Sequence, residues 1–204
     1  RIGLVVLRGA GKCFSAGHDL ADIAHGERPP QPHFQADTIE LLANLPQPVV
    51  TAVHGHCYTG ALELALAGDL IVAAESAKFA DTHARWALVP VWGMSQRLPR
   101  RVGMARAQEM TYTARTFSGR EAEAMGLVNW CVPDAGFDAA LATTARSILA
   151  NSWYSLRANK RLYRETEGLP LRAGLSHEIH RSEGRGPDMA ERIAAFMNKT
   201  SKLA

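Results

Sequence analysis

The apolar positions of this chain fall in short dense runs separated by loops rich in glycine and proline. Residues 2–7 (IGLVVL) are apolar and β-rich, which predicts a buried strand. It ends at Arg8 and Gly9 and leads into the glycine-containing loop GAGKCFSAGHDL (9–20). A second buried strand is predicted over 48–55 (PVVTAVHG), a third over 69–75 (DLIVAAE) and a short fourth over 78–81. Between them, Ile39, Leu42 and Leu45 give residues 35–45 helical spacing, after a proline-rich loop or lid at 26–33 (GERPPQPH). Ser118 and Glu121 form a capping-box pair opening a helix that runs through Met125 and ends at Gly126, before the strand LVNWCV (127–132). Beyond Pro133 the pattern is helical throughout, over 137–150, 152–166, 169–182 and 188–198. Alternating buried strands and helices predict an α/β fold. They divide the chain into an α/β core over 1–133 and a helical region over 134–204, suited to assembly.

One run breaks the pattern. In GHCYTGALELALAGDL (55–70) the segment after Thr59 and Gly60 is apolar on nearly every face, yet it holds Glu63. Burying a carboxylate costs several kcal/mol unless it is paired, hydrogen-bonded or protonated. Two readings stand: a core ion pair, or an acid/base group with its pKa raised by burial. Gly60 lies at the helix start, where N–H groups are unpaired. The loop FSAGHDL (14–20) offers either further backbone donors facing a ligand or a tight turn with Asp19 as a helix N-cap. Donors from two loops would make an oxyanion hole.

Composition narrows the classes. At 204 residues, 47% hydrophobic and 21% charged, the chain has room for one domain with a sizeable core. A net charge of +3 with scattered cations gives no footprint for nucleic acid, although groups at 97–101 and 157–164 could serve a small anion. Cys13, Cys57 and Cys131 are odd in number and far apart, which predicts reduced thiols and a cytoplasmic location. No run has the length of a membrane span, and no signal peptide opens the chain. Starting directly inside a strand without an initiator Met, the chain is expected to lack its natural N-terminus. GAGKC (9–13) fails as a phosphate loop, because Val6 stands at the first glycine position and Cys13 at the metal-binding hydroxyl. His54, Gly55, His56 and Cys57 lack a second ligand pair, so no metal is expected; on one strand both imidazoles would point to the same side.

Taken as an ordered set, FSAGHDL, PQPVVTAVHGHCYTGALELALAGDLIVAAESAKFAD (46–81), PVWGMSQRLPRRVG (90–103) and FSGREAEAMGLVNWCVP (117–133) resemble the crotonase (enoyl-CoA hydratase/isomerase) superfamily. The resemblance spans about 2–133, with a weaker match in the helical tail. It implies a spiral of β-β-α units with a helical C-terminal region, and an acyl-CoA enzyme that stabilises a thioester enolate. The oxyanion donors fall on the N–H groups of Ala16 and Gly60, and the catalytic carboxyl group on Glu63. Gly17, His18, Asp19, Trp86 and Trp92 fall among the substrate-binding positions, the two tryptophans near the acyl group. Hydratases of this family carry a second Glu twenty positions after the first, where this chain has His83. His83 is either the second acid/base or a member of a network with Asp81 or Arg85. Hydration and double-bond isomerisation share the enolate, so both stay open; so do a coenzyme A-binding homologue without turnover, thioester hydrolysis and decarboxylation. The resemblance also implies trimers or hexamers of paired trimers, with Phe196 and Lys199 near a neighbour's coenzyme A. No separate cofactor is expected, coenzyme A being part of the substrate.

Overall fold

A computed structural model describes residues 2–26 and 28–200, the side chains of residues 199 and 200 excepted. The elements follow the chain as β1 (Val5–Arg8), α1 (Leu20–His25), α2 (Phe34–Ala43), β2 (Val49–Val53), β3 (His56–Tyr58), α3 (Gly60–Ala65), β4 (Leu70–Ala74) and β5 (Lys78–Ala80). A 3-10 turn (His83–Trp86), α4 (Met94–Val102), α5 (Met104–Thr113), β6 (Phe117–Ser118), α6 (Gly119–Ala124) and β7 (Trp130–Val132) come next. A second 3-10 turn (Asp134–Gly136) leads to α7 (Phe137–Leu149), α8 (Trp153–Thr166), α9 (Leu171–Arg181) and α10 (Met189–Thr200).

Two sheets divide the strands. One is parallel, in the order β1-β2-β4-β7; the other runs β3-β5-β6, with β6 antiparallel to β5. The chain therefore gives one strand to each sheet per turn: β2 then β3, β4 then β5. Each switch needs a bend, and the first falls at Gly55, with φ 58°. That bend corrects the reading of one strand over 48–55, and with it the placing of His54 and His56 on one side of a single strand. His54 instead sets Nε2 against the Gly11 carbonyl at 2.9 Å, while the His56 ring packs on Tyr58. Among the described residues, no group of three or more His, Cys, Asp or Glu is arranged to hold a metal ion.

All five residues of β2 and four of the five in β4 are buried, as expected of central parallel strands covered on both faces. β1 departs from the expected buried strand. It sits at the sheet edge beside β2, and its residues alternate between half-buried and exposed. Around the sheets, Phe79, Phe117, Leu62, Ile71, Met94, Leu98, Met110 and Leu127 form the largest fully buried side chains. The expected capping box is formed: the Ser118 hydroxyl accepts from the Glu121 N–H, and Glu121 accepts from the Ser118 N–H.

Two compact units are present, each with its own contacts. Among the described residues, one takes 5–45 and 49–144; the other takes 2–4, 46–48 and 145–200. In the second, the Gly3 backbone lies against the Trp153 ring, the Arg157 guanidinium donates to the Ile2 carbonyl at 2.7 Å, and Lys160 Nζ donates to the Gln47 carbonyl at 2.9 Å. No helix among the described residues is long and apolar enough to cross a membrane.

Candidate functional site

The site grows from the turn between β3 and α3. Phe14 N–H donates to the His54 carbonyl at 2.7 Å, and Ser15 N–H to the His56 carbonyl at 3.0 Å, laying the loop 14–17 along the start of β3. The approach is close: a Cβ at Gly17 would stand 2.8 Å from the Tyr58 carbonyl and 3.6 Å from the Gly60 nitrogen. Ala16 and Gly60 are thereby brought together from two loops. Gly60 opens α3, so its N–H has no partner within the helix. Among the described residues, no turn or loop hydrogen bond uses the Ala16 N–H. Gly60 is also held to glycine by sterics, because a Cβ there would meet the Trp92 ring at 2.5 Å. Trp92 stacks in turn on His18, with ring centroids 5.1 Å apart.

Between Tyr58 and Gly60 stands Thr59, with φ 52° and ψ −110°, a conformation that a β-branched residue rarely takes. Thr82 answers it: the two hydroxyls hydrogen-bond, and the Thr82 N–H donates to Thr59 Oγ1 at 3.1 Å. Thr59 N–H donates to the Ala80 carbonyl at 2.8 Å. The residue before Gly60 is thus tied to the residue before His83.

Glu63, one turn into α3, is 1% exposed. Its Oε1 accepts from the Trp92 N–H at 2.9 Å and from the Met94 N–H at 3.0 Å, at the start of α4. Its Oε2 faces His83 Nε2 at 3.7 Å, beyond hydrogen-bond distance. Burial pushes the Glu63 carboxyl above the ordinary carboxylate range, and nearby Asp81 adds to the rise. The Met94 N–H, His83 and the Trp92 N–H pull the other way without cancelling it. His83 is buried, with Nδ1 on Asp81 Oδ1 at 2.7 Å. Arg85 joins no such network, its guanidinium donating instead to the Ala114 carbonyl.

Ala16, His18, Gly60, Glu63, His83, Trp86 and Trp92 all line one cavity of about 780 Å³, whose outer wall is apolar with Leu88, Val89 and Val91. Trp86 is 52% exposed at its rim. Gly17 and Asp19 line an adjoining space with His18, Gly60 and Trp92. The Asp19 carboxylate caps α1, accepting from the Ala21 N–H at 2.8 Å. Phe196 lies exposed on α10, and the Lys199 side chain lies outside the described residues.

The chain as a whole has counterparts among known proteins. The family described as enoyl-CoA hydratase/isomerase matches residues 1–201. The chain belongs to that family. It is therefore an acyl-CoA enzyme of the hydratase/isomerase type. Among curated relatives, a probable enoyl-CoA hydratase of Mycobacterium tuberculosis is 33% identical over 206 residues, covering 97% of this chain and 78% of the relative. A 1,2-epoxyphenylacetyl-CoA isomerase of Escherichia coli K12 is 33% identical over 213 residues, covering 98% of this chain and 80% of the relative. A crystal structure of an enoyl-CoA hydratase from Bacillus anthracis superposes with a TM-score of 0.89 at 36% identity, over 96% of this chain and 78% of that one. The crotonase fold implied by the motifs is the fold of this chain.

Sequence reasoning left three parts of the site unassigned: the Trp92 and Met94 N–H donors to Glu63, the Thr59–Thr82 tie, and Thr111 behind Asp81. The spacing of Asp81 and His83, two residues apart, was a visible signal for their own contact, but nothing in the local sequence pointed to Thr111.

Proposed function

We propose that the chain adds water reversibly across the double bond of a 2-enoyl-CoA thioester. The observation that carries this reading is the 3.7 Å between Glu63 Oε2 and His83 Nε2, on the wall of one cavity beside Gly60. Two groups at that separation do not bond each other, but a single water can lie about 2.8 Å from both. Hydration needs one group to take the water's proton and another to supply the proton at Cα. Isomerisation needs only one shuttling group, so a second proton-transfer group at this distance favours hydration.

The Ala16 and Gly60 N–H groups would receive the thioester oxygen, where negative charge develops in the enolate. As the water oxygen bonds to Cβ, its proton passes to His83 Nε2 and the π electrons move into the thioester. The enolate Cα then takes the proton of the Glu63 carboxyl group, which burial keeps available. The cycle leaves His83 protonated and Glu63 ionised. Return of the proton from His83 to Glu63, relayed by the next water, restores both. The apolar wall of Trp86, Leu88, Val89 and Val91 would hold the acyl group, with coenzyme A as part of the substrate and no separate cofactor. The same reading includes a cytoplasmic location and assembly through the C-terminal helices into trimers or paired trimers. Exposed Leu171, Leu175, Ile179, Ile193, Phe196 and Met197 support the assembly part, which light scattering tests.

The test is mass analysis of 2-enoyl- and 3-enoyl-CoA thioesters incubated with wild type and with Glu63→Gln. Gain of one water, lost in the variant, supports the proposal. A double-bond shift without mass change would replace it with isomerisation. Binding without conversion across the panel would favour the non-catalytic homologue, and release of free coenzyme A would favour hydrolysis.

A further inference from the structure

Asp81 is wholly buried and forms no part of the cavity wall. It sits behind His83. Its Oδ1 accepts from the His83 backbone N–H at 3.2 Å and meets the ring Nδ1 at 2.7 Å; its Oδ2 accepts from the Thr111 hydroxyl, on α5, at 2.8 Å. Burial pushes this carboxyl group upward, but the ring of His83, the Thr111 hydroxyl and the His83 N–H outweigh it and hold it below the ordinary range. An ionised carboxylate only accepts hydrogen bonds. The ring must therefore present Nδ1–H to it, which in the neutral imidazole leaves the Nε2 lone pair on the side facing Glu63 and the cavity.

We propose that Asp81, steadied by Thr111, is a positioning residue of the reaction: it fixes His83 in the tautomer whose Nε2 receives the proton of the attacking water. It also compensates the positive charge the ring carries once that proton has arrived. Without it the ring has two orientations and two tautomers, of which only one places a basic nitrogen on the water. Because Asp81 lies behind the ring, it acts only through His83 and touches neither substrate nor water. The inference rests on the hydratase reading above.

The test compares Asp81→Asn, Thr111→Val, His83→Ala and the double variant His83→Ala/Asp81→Asn on the enoyl-CoA that wild type hydrates best. Asp81→Asn should lower kcat by about 10²-fold or more with KM changed by no more than about 2-fold, because the substrate contacts stay in place. Thr111→Val, which leaves the carboxylate in place, should lose about 3- to 10-fold, as for one hydrogen bond. In the His83→Ala background, Asp81→Asn should cost nothing further. Proton NMR reads the same geometry without turnover: a downfield, exchange-protected Nδ1–H resonance should be present in wild type and lost in Asp81→Asn. Circular dichroism establishes that each variant is folded. A folded Asp81→Asn with turnover near wild type, or equal losses in the two backgrounds, would overturn the positioning role. If wild type hydrates no thioester, it is the hydratase reading that falls. The NMR signal then still decides the orientation of His83: present and Asp81-dependent, it stands; absent in wild type, it does not.

Discussion

Glu63 and Asp81 approach the two nitrogens of one imidazole from two different segments, the first from α3 and the second from the end of β5. Their exposures are nearly equal, 1% and 0%. Their acidities move in opposite directions, Glu63 upward and Asp81 downward. Burial is therefore not what separates them. Both oxygens of Asp81 accept from donors of the protein, so its charge is kept. Only Oε1 of Glu63 is satisfied in this way; Oε2 is left facing the cavity and His83. A carboxylate with both oxygens held by protein donors holds a structure in place. One with a lone pair left over at a cavity wall is equipped to move a proton.

The sharpest way to break this contrast is Glu63→Gln, which keeps the Oε1-type acceptor for the Trp92 and Met94 N–H groups but removes the ionisable carboxyl proton. The expected loss in kcat is on the order of 10³-fold. Thermal denaturation should show the variant no less stable than wild type, since no charge needs to be desolvated. Substantial turnover in Glu63→Gln would place the chemistry elsewhere. Gly60→Ala comes next. Its Cβ would displace the Trp92 ring from a 2.5 Å encounter and tilt the N–H at the head of α3. We expect about 1–3 kcal/mol of lost stability by chemical denaturation, together with about 10²-fold less turnover from a misplaced donor.

The two carboxylates also predict opposite pH dependences of stability. Asp81 titrates in the folded protein below its ordinary 3.8, so its contribution is present above that value and is lost as pH falls through the folded pKa. Glu63 titrates above its ordinary 4.5, so the folded state favours its protonated form. Stability should then decline as pH rises from 4.5 through the folded pKa and level off beyond it. Unfolding free energies of wild type and Glu63→Gln, measured from about pH 4 to about pH 8, should diverge in favour of the variant over that interval. Parallel curves would mean that Glu63 is not raised.

How much of this was legible in the chain depends on what carries the information. β2, β4, α3 and the four C-terminal helices rest on local pattern, and their positions agree with the spacing of apolar residues to within a few positions. Glu63 stood out because a charge interrupting an apolar helix is a local anomaly. The strand expected over 127–132 shrinks to Trp130–Val132, because Leu127 and Val128 turn inward as buried residues at the end of α6. The helices α4 and α5 were left unassigned: α4 keeps Met94, Leu98 and Val102 on one face, but Pro99 with Arg97, Arg100 and Arg101 interrupts the run, and α5 has only a weak apolar stripe. What separates the two acidities was legible only in part: the burial of Glu63 and the pairing of Asp81 with His83 were, the distant donors were not. The donors to Glu63 come from 29 and 31 residues away, and Thr111 reaches Asp81 across 30. Such pairings are set by how the sheets and helices close on one another, which no spacing within one segment records.

The smallest predicted effect tests the tie between the two segments. Thr59 carries a left-handed φ of 52° next to the Gly60 donor, and its hydroxyl is shared with Thr82 beside His83. Thr59→Ala removes the hydroxyl and keeps the unfavourable backbone; Thr59→Gly removes the hydroxyl and relieves it. The two variants lose the same hydrogen bonds, so their difference isolates the backbone. Strain of this kind costs about 1–3 kcal/mol, and glycine's extra unfolded-state entropy returns about 0.4–1 kcal/mol of that. Thr59→Gly should therefore be more stable than Thr59→Ala by about 1 kcal/mol in denaturant unfolding. Turnover should not follow that stability order if the hydroxyl pair aligns the two segments: wild type should exceed both variants, whichever of the two is the more stable. Equal stabilities would mean that the φ at Thr59 carries no strain. A variant at full activity would mean that Gly60 and His83 are held in register by the sheets alone.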